Sequence, residues 1–329
     1  MSAGVSTHVQ SCVAIVSDRD DLHALAAQKT LAAREGVCCH VIECDRLFAR
    51  GGLAWSAGEE FTPTLPTTDG ECIDVRKIDV LWFRRCYVPQ KCEGDIADPA
   101  HLDVINTSTP PALLGVLLTS FRGRWISDPG ATREAENKLF QLRAAHDAGL
   151  AMPRTLVSND PASIRDFCSH LDNQVIVKAV KASFETPLLT QKIRPEHLES
   201  DERLRLCPAI YQEYVPGCRH LRAHLFGDHA SAILIDSPDL DWRTNLNVPC
   251  SVYDLDESLI SKLRQLLKSL NLRMGVIDLK MKGDVPMWLE VNPQGQFLFA
   301  EGLTGLPLRD AISEFLYKES LAATAARLQ

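Results

Sequence analysis

The segment MGVIDLKMKGDVPMWLEVNPQGQ, residues 274–296, carries two carboxylates and a carboxamide at spacings that suit a cation. Gly283-Asp284 lies between two apolar runs, a turn signal, so the segment reads as a β-hairpin. With the turn centred on Asp284, Asp278 stands opposite Glu290. Strand side chains alternate faces, which puts Ile277, Leu279, Met281, Leu289 and Val291 on a core face. Asp278, Lys280, Glu290 and Asn292 share the other face. Two carboxylates across a ladder repel each other. A divalent cation removes that cost, and Mg2+ takes hard oxygen ligands, commonly one or two carboxylates plus substrate phosphates. Asn292 offers a third oxygen. The plainer alternative is a solvated hairpin face on which Lys280 neutralises part of the charge.

Three further places could work with such a cation. Lys178 sits within the apolar run VIVKAV, where an ammonium is costly without an anionic partner such as a nucleotide phosphate. A strand-edge lysine reaching out to water is the alternative. Lys138, in AENKLFQL, comes one helical turn after Glu134, which by itself reads as a surface pair. YQEYVPG supplies a short extended backbone whose N–H and C=O groups suit an adenine edge. Arg222 alternates with Leu221 and Ala223, so it faces either the polar cleft of Lys178 or solvent.

These residues need a scaffold, and the chain is long enough to supply one. Its 329 residues suggest two or three packed units, and a net charge of −8 argues against duplex nucleic acid as the principal partner. No apolar run approaches the roughly 20 residues of a membrane span. Eleven cysteines lack any C-x-x-C pair, so we expect reduced cytoplasmic thiols, mostly small core residues, and, without paired ligands, no structural zinc site. Residues 12–45 read as a β-α-β unit without a G-x-G-x-x-G turn, and VLWFRR as a strand ending on Arg84 and Arg85. Pro110-Pro111 should break the chain ahead of the helix ALLGVLLTSF. One helix should run through ATREAENKLFQLRAAHDA to Gly149, and ETPLLTQKI should pair with the Lys178 strand. Later segments alternate antiparallel hairpins with helices, an α+β pattern.

In chain order, AENKLFQL, VIVKAV, YQEYVPG, HLRAHLFGD, DWR, GVIDLKM and WLEVNPQGQFLFAEGLTGLPLRDAI resemble the ATP-grasp ligases, and among them the graspetide (microviridin-type) peptide macrocyclases. The resemblance covers about residues 75–316, and LEVNPQGQFLFAEGLTGLP is its most specific part. It implies α/β and α+β architecture: an ATP-grasp fold behind a Rossmann-like pre-ATP-grasp domain. The expected units are residues 1–128, a central lobe at 129–210 and a C-terminal lobe at 211–329. It implies that Lys138 and Lys178 contact ATP phosphates, that Glu213, Tyr214 and Val215 form the adenine hinge, and that Asp278, Glu290 and Asn292 hold Mg2+. Arg222 would stabilise the transferring phosphoryl group or the activated acid, and Arg243 would help hold that acid. Three departures stand out: no glycine in KASFETPLL, His220 where an acidic residue is common, and the extra charge of Lys181.

The implied reaction is ATP-dependent macrocyclisation of a ribosomally made precursor with a leader and acidic core residues. An Asp or Glu side chain becomes an acyl phosphate, and a Thr or Ser hydroxyl (ω-ester) or a Lys amine (ω-amide) attacks it. A homodimer, and neither nucleic acid nor membrane as partner, complete the expectation. The rivals are a carboxylate–amine ligase joining an amino acid to a peptide or small acid, and a non-catalytic peptide- or nucleotide-binding module.

Overall fold

The computed structural model describes residues 10–57, 61–86, 89–90, 98–181 and 189–327. The chain opens with β1 (Ser11–Ser17), α1 (Leu22–Ala32), β2 (Val37–Glu43) and α2 (Leu47–Arg50). A small antiparallel pair follows, β3 (Thr64–Pro66) with β4 (Cys72–Asp74), then β5 (Val80–Phe83), α3 (Pro99–Ser120) and β6 (Arg124–Ile126). Strands β2, β1, β5 and β6 form a parallel sheet in that order. All seven residues of β1 are buried, as expected of a parallel strand covered on both faces. Val13 and Ile15 face α1, while Ala14 and Val16 face Leu113 and Leu117 of α3.

Here the structure corrects one expectation. Pro110 and Pro111 lie inside α3 rather than ahead of it. The turn they interrupt is exposed at Asn106, Thr107 and Ser108, so water can take the carbonyls that lose their donors. The buried Leu113, Val116 and Leu117 hold the downstream half in line.

A second unit comprises α4 (Pro129–Ala135), α5 (Lys138–Asp147), β7 (Thr155–Ser158), α6 (Pro161–Ser169), β8 (Val175–Ala179), β9 (Gln191–Lys192), α7 (Asp201–Arg205) and β10 (Ala209–Glu213). The single helix expected here is two, because the Asn137 side chain accepts the Leu139 N–H at 2.9 Å and starts α5 anew. The sheet runs β7-β10-β8-β9 with antiparallel neighbours, so β9 does pair with the Lys178 strand. The intervening segment, with most of the glycine-free stretch, lies outside the described residues.

The third sheet uses β11 (Arg219–Phe226), β12 (His229–Asp236), β13 (Cys250–Tyr253), β14 (Met274–Lys282) and β15 (Val285–Asn292), ordered β13-β12-β11-β14-β15 and antiparallel throughout. One face packs on α8 (Glu257–Ser269), whose Leu259, Leu263, Leu266 and Leu267 recur at helical spacing. Asp256 caps that helix through the Leu259 N–H at 2.8 Å. After α9 (Leu298–Thr304), α10 (Leu308–Arg327) returns to the first sheet, where Ile312 and Leu316 join the Val13 and Ile15 core. The cysteines also differ from expectation: of those described, only Cys12, Cys44, Cys86 and Cys168 are buried, and none is in a disulfide. Edge strands and loops carry the rest. No described helix is long and apolar enough to cross a membrane.

Candidate active site

A β-bulge decides which residues of the opening hairpin reach the cleft. Gly283, at a left-handed φ of 62°, and Asp284 form a two-residue turn, with Lys282 opposite Val285 and Leu279 opposite Trp288. Continued regularly, this register would set Asp278 against Leu289. The register instead slips by one residue between Leu279 and Asp278, so Asp278 does face Glu290. The expected pair is right, but the core partner is not: Trp288, 1% exposed, takes the place expected for Leu289, which lines the cleft. The Trp288 N–H donates to Ala151 O at 2.7 Å, pinning the irregular step to the preceding unit.

The polar face is not a solvated one, since Asp278 is 7% and Lys280 6% exposed. Asp278 accepts from Arg222 Nη1 with both oxygens, at 2.6 and 2.8 Å, and from Asn292 Nδ2 at 3.1 Å. Arg222 stands across the ladder from Asp278, donates to Gln296 O at 3.0 Å, and lies 5.4 and 5.6 Å from the rings of Trp242 and Phe299. Glu290 accepts from Lys138 Nζ at 2.6 Å, and Arg243 Nη1 lies 3.6 Å away. This replaces the expected surface pair of Lys138 with Glu134. Nor does Lys280 neutralise the acids, because its ammonium lies against His220 Nε2 at 3.1 Å.

The charges respond to this crowding. Burial alone would push the Glu290 carboxyl up, but Lys138, Lys178 and Arg243 hold it at about 2. Asp278 is pushed up by burial against the opposing pull of Arg222. Lys178, on β8, is pushed down by burial, partly offset by Glu290, and donates to Gln212 Oε1 at 3.2 Å. His220 is pushed down to about 4 by burial and the Lys280 ammonium. Lys181, by contrast, is exposed.

All ten sequence-derived site residues line three neighbouring cavities that share lining residues, two of them between the second and third sheets. In the hinge segment the Glu213 and Tyr214 N–H groups are engaged by Arg154 O and Gln174 O at 2.8 and 2.9 Å. The Val215 N–H has no acceptor among the described residues. Glu213 is tied by its carboxylate to Lys282 at 2.8 Å, and the Tyr214 ring lies 3.7 Å from Lys192 Nζ. An adjoining cavity of about 500 Å³ is lined by Arg222, Arg243, Trp242, Asn292, Gln296 and Phe299, among others.

Sequence reasoning missed several supports. Gln141 clamps α5 to β15 by donating to Val291 O at 2.9 Å and accepting the Val291 N–H at 3.0 Å. The PQGQF segment is anchored on β5, on the residue that follows it, and on α1. Trp82 Nε1 donates to Gln294 Oε1 at 2.9 Å, Arg84 to Gln294 O at 3.2 Å, and the Phe297 N–H to His23 Nε2 at 3.0 Å. Asp21 pairs with both Arg84 and His23. Strand parity would have found Gln212, which shares a face with Lys178.

The donor set of Asp278, Glu290 and Asn292 is all oxygen, which fits Mg2+ rather than a soft metal. No protein-family model matches the chain, and no curated protein matches it in sequence. Solved structures do. Macrocyclase MdnC bound with precursor peptide MdnA, from Microcystis aeruginosa MRC, superposes with a TM-score of 0.82 at 24% identity over 93% of this chain and 99% of that one. The Chryseobacterium gregarium RiPP-associated ATP-grasp ligase, in complex with ADP and a leader and core peptide, gives 0.82 at 21% identity over 94% and 97%. Macrocyclase MdnB, also from Microcystis aeruginosa MRC, gives 0.76 at 26% identity over 93% and 99%. The chain therefore carries the ATP-grasp fold, in the form these peptide macrocyclases share.

Proposed function

We propose that the protein is an ATP-dependent macrocyclase of a precursor peptide with a leader and an acidic core. The observation that carries this reading is the pair of adjoining cavities that share Trp242 and Arg243. One is walled by the Lys178 strand and the hinge. The other has Arg222 and Arg243 as its cationic wall, which suits a peptide carboxylate.

In this reading the Val215 N–H, without an acceptor among the described residues, donates to the adenine edge, and Lys178 and Lys138 bind phosphate oxygens. Lys138 exchanges its Glu290 contact for phosphate. Asp278, Glu290 and Asn292 would hold Mg2+, which when bound screens the charge of the phosphates. Arg222 is kept in place by Asp278, Gln296 O and two aromatic rings. Arg222 lines the second cavity, where its guanidinium suits charge developing on the transferred phosphoryl group. Arg243, held by Asp241 at 2.7 and 2.8 Å, orients the acid to be activated. A Thr or Ser hydroxyl, or a Lys amine, of the same peptide then displaces phosphate and closes an ω-ester or ω-amide ring. The active form is a homodimer, which sedimentation would report as the mass of two chains.

The test is ADP release with Mg2+ and acidic peptides rich in Thr or Lys. Release that needs both nucleotide-bound metal and peptide is expected. ATP binding without any peptide-stimulated ADP release would sink the enzymatic reading and leave a binding module.

A further inference from the structure

Strand pairing in the first sheet gathers a second set of ligands far from the cleft in the chain. In the parallel register of β1 and β2, Cys12 lies opposite Cys38, and His40 follows two residues on, so all three point to one face. Their ligand atoms lie within 4.8 Å of one another, the one such group of at least three His, Cys, Asp or Glu residues among those described. Cys39 points to the other face and packs against the α1 and α10 core. We propose that Cys12, Cys38 and His40 form a binding site for a zinc-class divalent cation, clamping the edge strand β2 to β1.

The chemistry of the set matches that class. Two thiolates and an imidazole suit a borderline-soft metal, and three protein ligands leave a fourth tetrahedral position for water or an outside donor. A carboxylate stands near the imidazole's second nitrogen. His40 Nδ1 lies 3.6 Å from Asp69 Oδ2, and the Thr67 hydroxyl donates to the same carboxylate group. Access comes from the β2 side, where Cys38 and His40 are only partly buried while Cys12 is buried. The three side chains already act on one another, since the Cys12 thiol and His40 lower the pKa of the Cys38 thiol while the Cys38 contact and burial raise that of Cys12. Taking up the cation as Cys2His displaces whatever protons the two thiols and the imidazole carry, so binding strengthens as pH rises.

The test uses the reduced, chelator-treated full chain titrated with Co2+ alone. We expect one tightly bound Co2+ with thiolate-to-metal charge-transfer absorption and tetrahedral ligand-field bands, lost on adding Zn2+. Cys38→Ser and His40→Ala should each weaken binding by about tenfold or more. Cys207→Ser, at an exposed and distant thiol, should bind like the parent. Matching circular dichroism of the metal-free variants establishes that they fold. Absence of the charge-transfer band in the parent, or parental affinity in Cys38→Ser, overturns the proposal. So does a Cys12–Cys38 disulfide in the unreduced protein with no cobalt spectrum after reduction.

Discussion

Replacing Arg222 by methionine keeps most of the side chain's length and removes the charge facing Asp278. In the parent the pair is buried, at 6% and 7% exposure, with two contacts of 2.6 and 2.8 Å. Removing one partner of such a pair typically costs about 3–5 kcal/mol, because the other charge is left without compensation. Asp278 has a second donor in Asn292 and is already pushed up by burial, so it takes up a proton rather than stay charged. The loss therefore falls at about 3 kcal/mol, the lower end of that range. Asp278→Asn in the same chain removes the stranded acid, and the double variant should recover about 2 kcal/mol of that loss. Urea unfolding of the parent, both single variants and the double variant at pH 7 gives the coupling energy. Additivity within about 0.5 kcal/mol would refute the claim that Arg222 and Asp278 form one electrostatic unit.

Other consequences follow from the same contacts. Lys138→Met removes a charged hydrogen bond, and if phosphate takes the place of Glu290 the ATP affinity should fall about tenfold to a hundredfold by calorimetry. Unchanged affinity would place Lys138 outside the phosphate site. Asp278→Asn and Glu290→Gln should each lower peptide-dependent ADP release by at least about a hundredfold at saturating nucleotide, and parental turnover would reject the metal assignment. His220 and His224 are pushed down to about 4 and about 3 by burial, from an ordinary 6.5. The unfolded chain therefore binds their protons first, so the stability they contribute is complete above pH 6.5 and is lost as pH falls toward 4 and 3. The loss reaches about 2.7 kcal/mol per pH unit while both titrate. Neither ring nitrogen of His224 makes a well-formed hydrogen bond among the described residues, and the Ser231 backbone gives only weak help. His224→Leu should then stabilise the protein by about 1 kcal/mol at pH 7 and halve the acid slope in urea titrations; an unchanged slope would contradict this.

Much of the site was legible because it rests on parity. Alternation along β14 and β15 put Asp278, Glu290 and Asn292 on one face without any three-dimensional information. The count succeeded for a reason the residues do not display. A two-residue turn and one extra residue in β15 cancel at Asp278, but they do not cancel at Trp288 and Leu289, where the assignment inverted. Lys138 misled because helical spacing offered Glu134, whereas the Asn137 cap restarts the helix and sends the lysine to Glu290. The anchoring of PQGQF by Trp82, Arg84 and His23 joins residues more than 200 positions apart, beyond any local pattern. The Cys12, Cys38 and His40 group is hidden for a related reason, since a parallel register is not set by spacing along one strand.

The central claim is ring closure on a peptide, and intact-mass measurement reads it most directly. The full chain with ATP, Mg2+ and a Thr/Glu- or Lys/Glu-rich precursor should yield ADP and a peptide lighter by one water for each ring. A peptide heavier by an added amine would move the activity to carboxylate–amine ligation, and ADP formed with no change in peptide mass would contradict macrocyclisation outright.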